Sequence, residues 1–158
     1  MKLTLVATAL AMAFLSGASA RQSPPTGQRG AAPSPEPLQW EVLISTLPPA
    51  DLQKQMAAAT GTIEHKSEVA RGGPVAAVVR TTGCTKDPAG GCTVNVVVYG
   101  PDGSILQEVK NLALPTGRAS VPLEIDANSA TGVYKVAIRV RDLAARRFGT
   151  AERQFGVK

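Results

Sequence analysis

From Tyr134 to Arg141 the chain alternates without a break. Tyr134, Val136, Ile138 and Val140 form an apolar row, and Lys135, Ala137, Arg139 and Arg141 form the other. Successive side chains of a strand point to opposite faces, so this period of two writes a strand that is dry on one side and wet on the other. The same period recurs upstream. Cys92–Tyr99 places Cys92, Val94, Val96 and Val98 on one face, and Ala119–Ile125 sets Val121, Leu123 and Ile125 against Ser120 and Glu124. Val75–Thr81, Ile105–Val109, Thr150–Val157 and, nearer the N-terminus, Leu38–Thr46 also read as strands. Gly100-Pro101-Asp102-Gly103 is a turn, because Pro presets φ and Gly accepts positive φ. Short strands at intervals of roughly 8–15 residues with no helices between them predict an all-β antiparallel sandwich of about seven strands.

What precedes the strands reads differently. Lys2, the apolar run Leu3–Leu15 and the small residues Ala18-Ser19-Ala20 predict a signal peptide over 1–20. The chain is therefore expected to be exported, periplasmic or secreted. No long apolar run follows, so no transmembrane segment is expected in the mature chain. Residues 21–37 carry Pro24, Pro25, Pro33, Pro35 and Pro37 among Gly, Ser and Gln. That composition predicts a disordered tether, since it buries too little apolar surface to offset its ordering entropy. Residues 38–61 hold the first strand and a short helix over Pro49–Thr60, with Pro in its first turn, Asp51 near its start and Leu52 and Met56 four apart. The helix reads as a connector, and the sandwich domain proper spans 62–158.

Three stretches resemble an immunoglobulin-like or fibronectin-type module of the kind that exported bacterial proteins carry, macroglobulin-like ones included. They are Gly83-Cys84 to Gly91-Cys92, with Asp87 and Gly90 between; Tyr99-Gly100-Pro101-Asp102-Gly103; and Gly132-Val133-Tyr134-Lys135-Val136 with Arg139-Val140-Arg141-Asp142 and a closing Phe155-Gly156-Val157. The resemblance covers about Ile63 to Lys158. It implies an immunoglobulin-like sandwich, a corner tyrosine at Tyr134, and contact with another protein or an envelope component. The fold hosts many unrelated jobs and names no partner.

In an oxidising compartment Cys84 and Cys92 are expected to pair across a hairpin mouth; seven intervening residues do not make a redox C-x-x-C. His65, the one histidine, lies in Glu64-His65-Lys66-Ser67-Glu68. A hydrolase centred on it would need a nucleophile and an orienting acid nearby, and no Gly-x-Ser-x-Gly elbow exists, so an exposed turn histidine is expected. Asp87, Asp102, Asp126 and Asp142 fall in predicted turns without a D-x-D-x-D calcium loop, and one His with two Cys cannot build a multi-ligand zinc site unaided. No catalytic residue, metal or cofactor is predicted. Trp40 is expected to pack at the end of the sandwich.

The remaining signal is charge. The sequence has 17 basic and 12 acidic residues, a formal net charge of +5. Lys135, Arg139 and Arg141 are expected on the solvent face of the last hairpin, with Arg146 and Arg147 in the loop at its tip. These five form the candidate binding face. The expected role is a non-catalytic module contacting an envelope or secreted protein. The alternative is a basic surface that binds anionic polysaccharide or lipid. Nucleic acid is not expected, since stacking aromatics are scarce at 4 % of the chain.

Overall fold

The computed structural model describes residues 37–58, 61–85 and 91–158. The expected leader, nearly all of the Pro-rich segment, the last two residues of the expected helix, and Asp87 and Gly90 lie outside the described residues. Eight strands and one helix follow in order: β1 Gln39–Ser45, α1 Pro49–Ala57, β2 Glu68–Val69, β3 Ala76–Thr82, β4 Cys92–Tyr99, β5 Ile105–Leu114, β6 Arg118–Pro122, β7 Gly132–Asp142 and β8 Arg147–Val157. They form a three-stranded sheet, β1-β3-β6, and a five-stranded sheet, β2-β8-β7-β4-β5. This alternation of strands between two sheets is the immunoglobulin-like arrangement. Neighbours are antiparallel except β2, which runs parallel to β8. β2 is the strand the sequence does not show, because two residues are too few to display a period.

The alternation sets the core. Val94, Val96 and Val98 of β4 and Tyr134, Val136, Ile138 and Val140 of β7 face Val42 and Ile44 of β1 and Ala77 and Val79 of β3. Leu123 and Ile125 lie past the end of β6 yet keep its alternation and are buried. Leu123 does so by donating its N–H to the Val75 carbonyl at 2.8 Å. Tyr134 packs its ring 5.6 Å from that of Phe155 and donates its hydroxyl to the Ala130 carbonyl at 2.8 Å. It thus acts as the corner tyrosine that the resemblance implies: the ring supplies apolar burial, and the polar tip is satisfied by backbone just upstream.

The helix is more than a connector. β3 is apolar on both faces, and Ala76 and Val78 point away from the main core. α1 covers them with Leu52, closing a second small core with Ile63 and the flanking Leu43, Leu47 and Met56. The Pro48 carbonyl accepts the first intrahelical bonds, from Asp51 and Leu52. At the other end Arg118 of β6 donates to the carbonyls of Met56 and Ala58 at 3.0 and 2.9 Å. A guanidinium on the last carbonyls complements the negative end of the helix dipole.

The disulfide between Cys84 and Cys92 forms, with Cα atoms 5.8 Å apart. It does not span a hairpin mouth. Cys84 follows β3 of one sheet and Cys92 opens β4 of the other, so the bridge closes the crossover between the sheets. Each cysteine lies at or near the end of a strand, which suggested a hairpin, but β3 pairs with β1 and β6 instead of β4.

Candidate binding face on the five-stranded sheet

The outward residues of β7 are Val133, Lys135, Ala137, Arg139 and Arg141, none of them buried. Cross-strand pairing sets their neighbours. Arg141 lies between Thr93 of β4 and Phe148 of β8, and Arg139 between Asn95 and Thr150. Ala137 lies between Val97 and Glu152, and Lys135 between Tyr99 and Gln154. The face is therefore graded. A central apolar strip, Val97 and Ala137, is flanked by Glu108 opposite Val97 and Glu152 opposite Ala137.

Lys135 is partly engaged: its ammonium lies 4.7 Å from the Tyr99 ring centroid and 3.4 Å from Glu152. The Arg139 guanidinium stacks 5.3 Å above the Phe148 ring, which nonetheless stays 67 % exposed. Among the described residues no carboxylate lies within ion-pair distance of Arg139, Arg141 or Arg146.

The expectation that Arg147 lies with Arg146 in the tip loop does not hold. Arg147 is the first residue of β8, and its guanidinium turns inward to the Gly83 carbonyl and, at 2.7 Å, to Asp142. Asp142, expected in a turn, is the last residue of β7, and its side chain has 0 % exposure. It accepts from the Thr85 N–H at 3.0 Å, the Thr85 hydroxyl at 2.9 Å and the Ala145 N–H at 3.1 Å as well. Burial alone would raise this carboxyl. The hydrogen bonds from Arg147, Ala145 and Thr85 outweigh it and hold the group at about 2. The pair pins the start of the β3–β4 crossover to the end of the last hairpin. Sequence reasoning missed it because Thr85 lies 57 positions from Asp142.

His65 is half-buried, not an exposed turn residue. Its Nδ1 accepts the Ile44 N–H at 3.2 Å, while the Lys66 N–H donates to the Ile44 carbonyl at 2.8 Å. Side chain and backbone together satisfy the free edge of β1 as a neighbouring strand would. Burial, helped by the nearby Arg153 charge, lowers the imidazole below its ordinary value. It is thus held neutral with Nδ1 already occupied, which suits a structural acceptor.

Trp40 packs against the core and donates Nε1 to the Thr150 carbonyl at 2.9 Å. Asp102 and Asp126 serve their own turns, accepting from Ser104, and from Asn128 and Ser129. Among the described residues no three His, Cys, Asp or Glu side chains converge as a metal site, and no helix is long and apolar enough to cross a membrane.

No family model and no curated protein matches the sequence. Solved structures similar to the chain include the following two. One is an immunoglobulin-like protein from Pseudomonas aeruginosa, at 13 % identity over 79 % of this chain and 99 % of that one, with a TM-score of 0.47. The other is a superoxide reductase (neelaredoxin) from Ignicoccus hospitalis, at 12 % identity over 67 % of this chain and 92 % of that one, with a TM-score of 0.41.

Proposed function

We propose that the chain is an exported, non-catalytic binding module that contacts another envelope or secreted protein through the outer face of its five-stranded sheet. One observation carries the reading. Arg139 and Arg141 stand two apart on a rigid central strand, beside an exposed Phe148, with no carboxylate among the described residues to neutralise them. Arginine and aromatic side chains are both enriched in protein interfaces. The strip of Val97 and Ala137 supplies a flat apolar centre, and Lys135, Glu108 and Glu152 supply a polar rim. Arg147 is left out of the contact set because Asp142 and Gly83 hold it.

The test is capture of partners from the native envelope with the wild-type chain and with a Lys135→Glu/Arg139→Glu/Arg141→Glu variant. These charges lie at the surface and contribute little to stability, at most about 1 kcal/mol each. Melting should stay within a few degrees of wild type, while the captured partner is lost and wild-type capture weakens with salt. Undiminished capture by the variant at low salt would reduce the face to plain solvation.

A further inference from the structure

We infer that the tip of the β7–β8 hairpin is a second contact site, which seats on an anionic lipid surface. The site shares Arg139, Arg141 and Phe148 with the proposed protein-binding face and adds Leu143 and Arg146, which that face does not use. Asp142 pairs with both Arg147 and Cys92, so the four exposed residues Leu143 to Arg146 project past the end of the β4 ladder. Leu143 is 64 % exposed and Phe148 67 %, the highest values of any large apolar side chain among the described residues. Arg139 stacks on the Phe148 ring, Arg141 is the cross-strand partner of Phe148, and Arg146 shares the tip loop with Leu143; none has a carboxylate partner among the described residues. The acidic residue of the tip, Asp142, is turned inward and neutralised by Arg147. Its hydrogen bond to the Ala145 N–H also fixes the loop.

Two exposed apolar side chains at a hairpin tip that also carries three arginines fit a plane better than a cleft. Leu143 and Phe148 can enter the boundary between headgroups and acyl chains, while the arginines take lipid phosphates by paired N–H donors. An anionic leaflet attracts such a cluster within a Debye length. An acidic protein would match the charge but leaves Leu143, at the far tip, without a role.

The experiment is co-sedimentation of the mature chain, without the expected leader, with vesicles of phosphatidylcholine alone and with about a third phosphatidylglycerol. Two variants separate the contributions: Leu143→Ser/Phe148→Ser keeps every charge, and Arg141→Gln/Arg146→Gln keeps the apolar tip. Urea midpoints confirm that both fold. Wild type should bind the anionic vesicles at least tenfold more tightly than the neutral ones, and each variant should lose about tenfold on anionic vesicles. Lys135→Glu, at the other end of the sheet, should leave vesicle binding unchanged whatever it does to protein capture. Absence of preference for anionic vesicles overturns the inference. So does full binding by Leu143→Ser/Phe148→Ser, which would assign the arginines to an acidic protein or polymer.

Discussion

At the end of β7 a carboxylate with no exposed surface accepts hydrogen bonds from Thr85, Ala145 and Arg147, and its stabilisation is readable from pH. Asp142 sits at about 2 in the fold, against an ordinary value of 3.8. Its contribution is therefore complete above the ordinary value and drains away as pH falls from about 4 to about 2, amounting to about 2 kcal/mol. His65 acts earlier. Its depressed value means that protonation favours the unfolded chain, so its contribution is present above the ordinary histidine value of 6.5 and is lost as pH falls below it. Urea midpoints followed from pH 7 downward should fall in two stages, with His65→Gln removing the first and Asp142→Asn the second. Asp142→Asn should also lower stability at neutral pH by about 2–3 kcal/mol, since it strips the charge partner from a half-buried Arg147. A single late stage in wild type would contradict the assignment to His65. Neither role was legible locally. Asp before Leu-Ala-Ala reads as an ordinary turn residue, and the amide that His65 accepts lies 21 positions away.

Among the elements, α1 shows where sequence signals suffice and where they stop. Pro49, Asp51, Leu52 and Met56 announce the helix, and the structure ends it at Ala57. Its docking site was also written in the chain, as the unbroken apolar run Val75–Val79, which marks a strand covered on both faces. Leu52 is the anchor, 3 % exposed between Ile63 and Val78. Leu52→Ala should cost about 2–4 kcal/mol. Amide exchange should show protection lost first across Pro49–Ala57, while β4 and β7 keep theirs. Uniform loss across both sheets would mean that the helix and sandwich unfold as one. β5 runs five residues beyond the expected Val109, because a bulge at Asn111, φ 54°, is held by its N–H donating to the Asn95 side chain at 2.8 Å.

At the scale of the whole molecule, alternation revealed the fold class because strands such as β4, β6 and β7 have one wet and one dry face. It could not assign strands to sheets, because both sheets turn apolar rows toward the same core. That is why the disulfide was expected in a hairpin and is found across the sandwich. A bridge joining the two layers through so short a loop should contribute about 2–3 kcal/mol. Cys84→Ser/Cys92→Ser should therefore melt lower with an unchanged far-ultraviolet spectrum, and mass spectrometry of the wild-type chain should find neither thiol alkylated before reduction. Free alkylation of both would remove the bridge from the account. The seam between β1 and β8 bears on the molecule in another way. Trp40 reaches Thr150 and Val42 receives Arg153, so the two strands advance in the same direction. Leu38 therefore enters at the end where β8 begins, and Lys158 leaves at the opposite end. A pull between those two residues runs along the strand axes. It loads the β1–β3 ladder and the bonds from Gly156 to Ser67 and from Lys158 to Val69 in shear, sharing the tension among them instead of opening them one after another like a zip.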